Sequence, residues 1–523
     1  MILAFHPLDA AALTVYLAGM LALGFWFSRR NTSTEEYFVG GRSFPGWAIG
    51  LSMLGTSISS ITFLAFPGKA FEGDWRQLVS NLMLPAVAVL AIVLFIPLFR
   101  REGLTSAFEY LGGRFGAWAR IYGTLSFVLL QGLRLATVLY LVALPVQLLS
   151  GLPEDSLGGI IIAVGIFIGL YTVFGGINAV IWTDVVQTFV LWGGGLGCFL
   201  AIVTQLPGGV TQLFEVAGRA DKFSLGEFDF DLARETFWTA ALLGVFNWLA
   251  YTTSDQNVVQ RYVASKSLWE ARKATMIYAI AAVPTWSFFF LVGTSVYVFY
   301  QVHPDPQIAS YKADQVFPHF ILTQLPDGIS GLVIAGVLAA AMSSLDSSIN
   351  SISTILTVDL VRPYLLPGRQ DRTYLRIAQG IAVVTGILMI AGALVIARLG
   401  QDSTNDLNWL LTSIFGGCLV GLFLIGFFTT RVGSSAAAIA LVIAVAANVY
   451  LAASLAGVLP ESWQVPIHGF WVGIVVNLLF VTIACVLGRL LPPPSPSQLD
   501  RTTIWTTQPD EVDSPSTDDR MTG

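Results

Sequence analysis

Runs of about 20 apolar residues, the length that crosses the ~30 Å hydrocarbon core of a bilayer, can be drawn about thirteen times along this chain. Only 11% of the residues are charged and 55% are hydrophobic, which excludes a soluble globule and predicts an all-α polytopic membrane protein. The expected spans lie near 8–28, 45–68, 75–99, 118–149, 157–174, 178–205, 236–262, 270–301, 328–360, 374–399, 407–430, 434–456 and 468–491. The first, from Pro7 to Phe27, lacks a basic leading segment and a small-residue cleavage site, so it reads as a retained span. Residues 1–491 therefore form a membrane domain, and the Pro-, Ser-, Thr- and Asp-rich stretch 492–523 is expected to be a disordered cytoplasmic tail.

Charge tests the orientation. With the N-terminus outside, most of the 27 basic residues fall on the inside, among them Arg100, Arg120, Arg261, Lys266, Arg272, Arg362 and Arg372. That agrees with the positive-inside rule and predicts a cytoplasmic C-terminus in a cell (inner) membrane. The three cysteines sit in apolar runs and the four histidines are scattered, so neither a disulfide framework nor a metal cluster is visible. No phosphate loop, catalytic carboxylate pair or activated nucleophile stands in a soluble context. An enzyme, an organic cofactor and a nucleic-acid partner are all unexpected.

The stretch Ala339 to Ser351, AAAMSSLDSSINS, places five serines, an aspartate and an asparagine inside a span. Such groups cannot face lipid. At about 100° per residue, Ala340, Ser343, Ser344 and Ser347 share one stripe. Helix packing through small residues is one reading and a small-cation site is the other; Asp346, beside the stripe, favours the second, because packing needs no charge. The span at 45–68 carries Gly55, Thr56, Ser57, Ser59, Ser60 and Thr62 at mid-depth, and the span at 236–262 has a polar interruption from Tyr251 to Gln256. Both are candidates for broken helices whose freed carbonyls bind ions or solutes. Counted after the first span they are the first and the sixth, as in a core of five plus five inverted helices, about 45–205 and 236–430, with 8–28, 434–456 and 468–491 as additions.

Two more charges lie within spans. Arg134 is open to two readings, a structural ion pair with Asp184 or Asp346, or a fork for a substrate carboxylate. Asp184 reads either as a helix cap or as one ligand of an ion site.

Taken in order, GRSFPGWAIG, SSITFLAFPGKAF, IWTDVVQ, QNVVQRY and AAAMSSLDSSINSIST resemble the sodium:solute symporter family. SSITF, GLRLA and NVVQRY are more similar to its bacterial sodium/sialic acid carriers than to its sugar carriers. The resemblance implies a first sodium site from the backbone of Gly55, Ile58 and Ala340 with the hydroxyls of Ser343 and Ser344. It implies a second from Asp184, Ser343, Asp346 and Ser347, although the sialic acid branch has serine in place of Asp346. The implied substrate pocket comprises Ser57, Ser59, Thr62, Asn81 and Arg134, with Phe246 as an apolar wall. Ser57 and Asn81 stand where that branch has threonine and glutamine, and the apolar position near Ile280 lacks the lysine of sugar carriers. The implied function is Na⁺-coupled uptake of a small organic anion such as a sugar acid. A neutral-sugar symporter and a transporter-like sensor or channel are the alternatives.

Overall fold

The computed structural model describes residues 6–29, 31–100, 103–150, 152–231, 234, 236–399, 418–465 and 469–506. Among these residues the secondary structure is helical, apart from one isolated bridge between Phe44 and Ser265. The principal helices are α1 (Pro7–Ser28), α2 (Gly46–Ser57), α3 (Ser60–Glu72), α4 (Leu78–Arg100), α5 (Ala117–Ser150), α6 (Leu157–Gln205), α7 (Phe237–Ser254) and α8 (Gln256–Ala264). They continue with α9 (Leu268–Val302), α10 (Ile329–Ile355), α11 (Asp371–Leu399), α12 (Leu419–Phe428), α13 (Ser434–Leu455) and α14 (Gly469–Leu490). Nine helical stretches of the described residues are long and apolar enough to span a membrane, or ten when α2 and α3 count as one bent span. The expected span at 407–430 falls largely outside the described residues, of which only α12 belongs to it.

At 1.5 Å per residue, the 49 residues of α6 would reach roughly 70 Å, about twice the thickness of a membrane core. The helix therefore turns at Gly176 (φ 54°, ψ −161°), between the spans expected at 157–174 and 178–205. Only glycine suits this point, because a Cβ would lie 2.8 Å from the Tyr37 carbonyl oxygen.

Apolar side chains at i and i+4 line the outer surface, including Leu125 and Leu129, Ile162 and Ile166, and Val384 and Leu388. This is the arrangement a lipid-facing stripe requires. α10 is different. Its most apolar window is 83% buried, the largest share of any span, and it packs against α1, α2, α5, α6 and α11. The carboxylate of Asp9 in α1 accepts from the amides of Gly328 (2.8 Å) and Gly331 (2.7 Å), so an acidic side chain anchors the positive end of α10.

On the opposite flank, Phe63 and Phe66 of α3 pack against Phe289 and Phe290 of α9 at ring separations of 4.9 and 5.0 Å. Lys222, in the loop after α6, donates to the carbonyls of Phe71 (2.7 Å) and Gly73 (2.9 Å) and so caps the end of α3.

Residues 492–506, the first part of the stretch expected to be disordered, are mostly exposed but are tied to the helices: the Tyr110 hydroxyl donates to Thr502 O (2.8 Å), Ile504 N to Phe427 O (3.1 Å) and Trp505 Nε1 to Phe428 O (2.9 Å). A polar composition does not prevent order when a formed aromatic face supplies partners. Residues 507–523 lie outside the described part. Arg261, expected among the cytoplasmic charges, is 1% exposed.

Candidate functional site

The expected break in the second span lies between α2 and α3. Ile58 (φ −94°, ψ 107°) and Ser59 (φ −97°, ψ 172°) are extended, and the segments Gly46–Ser57 and Thr62–Glu72 differ in direction by 57°. Glycine and hydroxyl residues make such an opening tolerable at this depth. The serine stripe of α10 meets it. Ser343 Oγ donates to Gly55 O (2.9 Å) and Ser344 Oγ to Thr56 O (3.2 Å), while Ala340 O accepts from Ser343 at 3.2 Å. All five residues are buried. Gly55 is close-packed, since a Cβ would lie 2.8 Å from Thr188 Oγ1. Ile58, implied as a further ligand, is the extended residue at the break. These hard oxygen donors have the chemistry that a small hard cation prefers, and rotation of the two hydroxyls would turn their lone pairs towards it.

The four residues of the second implied site are arranged differently. Asp184 Oδ2 accepts from Ser52 Oγ (2.5 Å) and from Arg261 Nη2 (2.7 Å). Arg261 also donates to Ser52 Oγ (2.8 Å), Thr56 Oγ1 (2.7 Å), Ser347 Oγ (2.8 Å) and Asn257 O (2.7 Å). A guanidinium thus occupies the space between Asp184 and Ser347. Ser343 points away from it, towards Gly55. Asp346 lies on the far side of Ser347, where it accepts from Tyr171 Oη (2.9 Å), from Ser347 Oγ (3.4 Å) and, more distantly, from Thr183 Oγ1 (3.5 Å). Asp184 and Asp346 are both fully buried. One guanidinium faces two carboxylates, so with both ionised the cluster carries one negative charge in excess. Among the described residues, Asp184 Oδ1 is buried without a hydrogen-bond partner.

The implied pocket residues are spread over four helices. Ser57, Ser59 and Thr62 line the break, with Ser59 and Thr62 buried and Ser57 half-buried; Asn81, on α4, is also half-buried. Arg134, on α5, is exposed and makes no ion pair or hydrogen bond with a described residue. Neither acid considered for it is its partner, since Arg261 holds Asp184 and hydroxyls hold Asp346. Phe246 does not join this group: its ring faces Gly473 of α14, 3.2 Å from where a Cβ would stand. The aromatic residues on the other face of α7 are Trp248 and Tyr251, stacked towards Trp286 and Tyr278 of α9. The expected second break is present, with α7 ending at Ser254, α8 beginning at Gln256 and Asp255 extended between them. The sequence reading missed Ser52, Tyr171, Thr183, Tyr251, Tyr278 and Arg261 as members of the centre; the signal for Arg261 was the need of a buried Asp184 for a counter-charge.

A helical membrane protein with two broken helices, and with hydroxyls, carbonyls and charges gathered at the breaks, has the make-up of a carrier. The profile of the sodium:solute symporter family matches residues 37–444, and the chain belongs to that family. The sodium/sialic acid symporter SiaT of Proteus mirabilis (strain HI4320) is 31% identical over 499 residues, 95% of this chain and 98% of that protein. The sodium/sialic acid symporter NanT of Aliivibrio fischeri (strain ATCC 700601 / ES114) is 33% identical over 484 residues, 92% of each. A solved structure of a Na⁺-coupled sialic acid symporter, in a substrate-bound outward-open state, superposes with a TM-score of 0.85 at 31% identity. It covers 94% of this chain and 99% of that one. The coupling ion of this chain is accordingly sodium, and the protein is a multi-pass resident of the lipid bilayer.

Proposed function

We propose that this protein takes up a small carboxylate-bearing solute, a sugar acid such as sialic acid, by sodium-coupled secondary active transport. The observation that carries this reading is the seating of Ser343 and Ser344 on the carbonyls of Gly55 and Thr56 at the helix break. Sodium held there by the carbonyls of Gly55, Ile58 and Ala340 and by the two hydroxyls fixes the opened helix against α10. That completes a pocket from Ser57, Ser59, Thr62 and Asn81, and Arg134 receives the carboxylate. Rocking of one bundle against the other then exchanges outside for inside access. Two helix breaks at corresponding positions support a core of five plus five inverted helices, with about thirteen spans in all. The basic residues support an external N-terminus, a cytoplasmic C-terminus and a cell (inner) membrane location.

Among the described residues Arg134 has no ion pair, which favours an anionic over a neutral solute, because a neutral-solute carrier would neutralise that charge internally. Arg134→Ala is expected to reduce uptake of a sugar acid at least 100-fold, roughly the loss of a bidentate charge-assisted pair. Counterflow in proteoliposomes measures this, and undiminished counterflow of the variant would reject the role.

A second sodium is proposed beside Asp346, with Ser347 and the free Oδ1 of Asp184. Arg261 already neutralises one carboxylate, so Asp346 supplies the charge that makes this site attractive to a cation. If two sodium ions accompany one monoanion, one net charge enters per cycle, driven by about 2.3 kcal/mol per 100 mV. Each tenfold sodium gradient adds about 1.4 kcal/mol per ion. Asp346→Asn leaves a neutral cluster and is expected to lower coupling to one sodium per solute. The inward current that accompanies monoanion uptake should then vanish while uptake itself continues; a current per solute equal to that of the unaltered protein would count against the second site.

A further inference from the structure

Thr56 stands one residue before the end of α2 and is 5% exposed. A threonine inside a helix can return its hydroxyl to the carbonyl four residues back, as Thr124, Thr172, Thr183, Thr188 and Thr252 do here at 2.8 or 2.9 Å. Thr56 does not. Its Oγ1 accepts from Arg261 Nη2 of α8 (2.7 Å) and lies within reach of Ser347 Oγ of α10 (3.1 Å) and Asp184 Oδ2 of α6 (3.3 Å). One hydroxyl thus ties the end of α2 to three other helices. The main chain of the same residue faces the serine stripe: Thr56 O accepts from Ser344 Oγ (3.2 Å), beside Gly55 O, which accepts from Ser343 Oγ (2.9 Å). Because α2 stops at Ser57 and Ile58 is extended, the carbonyls of its last turn have no following helical amide to fix their direction. Their aim is set by whatever anchors Thr56, and that anchor is a guanidinium carried by the second broken helix.

We propose that Thr56 is a positioning residue for the first sodium ion. Its hydroxyl, held by Arg261, fixes the opened end of α2 so that the Gly55 carbonyl stands where Ser343 and Ser344 complete the coordination. The side chain of Thr56 does not touch the ion. The proposal rests on the reading of that place as the sodium seat, and it makes a residue of α8 tune cation affinity at the end of α2. The effect is geometric, not electrostatic: without the Thr56 hydroxyl, Arg261 keeps its bonds to Asp184, Ser52 and Ser347, and the charge of the cluster is unchanged. Groups that act only by orienting the ligands of a metal ion change its affinity by about 10–100-fold.

The test titrates the purified full-length protein with sodium chloride against choline chloride at constant ionic strength and reads the melting temperature, so no solute is needed. Thr56→Val and Thr56→Ala are expected to raise the midpoint of sodium stabilisation by about tenfold or more, whereas Thr56→Ser, which keeps the hydroxyl, stays within about twofold of the unaltered protein. Valine presses a methyl against Arg261 and alanine leaves room for water, so the result does not hang on how one variant packs. A merely structural role lowers the sodium-free melting temperature of the valine and alanine variants and leaves the midpoint in place, and that outcome overturns the proposal. A serine variant shifted as far as the alanine one overturns it too. The double variant Ser343→Ala, Ser344→Ala is the reference. If it moves the midpoint and the Thr56 variants do not, the role of Thr56 falls and the sodium seat stands; if it leaves the midpoint in place, both fall.

Discussion

Replacing Ser343 and Ser344 together by alanine is expected to raise the sodium concentration for half-maximal uptake by more than 100-fold. Their hydroxyls are seated on the carbonyls of Gly55 and Thr56, where α10 crosses the opened helix. A hydrogen-bonding group lost from a charged partner costs about 1.5–3 kcal/mol, so the two sum to at least ~3 kcal/mol, and each 1.4 kcal/mol is tenfold. Either single substitution should cost roughly tenfold. The packing change is small, because serine and alanine differ by one oxygen. Radiolabelled solute uptake against external sodium, with choline as the replacement ion, measures the shift. If the double variant followed the sodium curve of the unaltered protein, the first sodium would have to be held elsewhere.

The second large effect is expected at Arg261. Its guanidinium donates to Ser52, Thr56, Asp184, Ser347 and the Asn257 carbonyl, and all of these partners are buried. Alanine at this position leaves Asp184 and Asp346 as two carboxylates with no fixed cation, and breaking a buried pair from one side typically costs about 3–5 kcal/mol. That is a large part of the stability of most folds. Arg261→Ala should melt well below the unaltered protein in sodium-free detergent and regain more stability on adding sodium, because the ion then substitutes for the missing charge. The double variant Arg261→Ala, Asp184→Asn should recover part of the loss. Lysine should rescue poorly, as three donors on a point charge cannot reproduce the fork. Melting of Arg261→Ala at the unaltered temperature, with no added response to sodium, would refute the charge-balancing role.

The contrast between these two residues and their neighbours explains what could be read from the chain. The serine stripe was legible because a row of hydroxyls within an apolar run has no other place than the interior. The break at Ile58 and Ser59 was legible because glycine and hydroxyl residues cluster there, and the break at Asp255 because Tyr251 to Gln256 interrupts an otherwise apolar span. Arg261 was not. It stands at the very end of that span and shortly precedes Lys266 and Arg272, so it reads as one more cytoplasmic charge. Yet α8 continues beyond the break with every residue buried, and Gln260 and Arg261 turn towards Asn350, Thr354 and Ser347 of α10. Phe246 failed for a geometric reason. At about 100° per residue it lies roughly 200° around α7 from Trp248 and 140° from Tyr251, and so faces α14. The anchoring of residues 492–506 depends on an aromatic face built from Tyr110, Phe423 and Phe427, three positions far apart in the chain from the segment they hold.

The single bridge among the described residues joins Phe44, just before α2, to the end of α8: Phe44 N donates to Ala264 O (3.4 Å) and Lys266 N to Phe44 O (3.1 Å). The Glu270 carboxylate at the foot of α9 accepts from the amide of Gly46, two residues after Phe44. The segment before α2 and the end of α8 are thus stitched through main-chain bonds, with the Glu270 side chain as a third link. A motion that swung α2 alone would tear that seam, so the motion of least cost turns α2, α8 and the base of α9 together as one leaf.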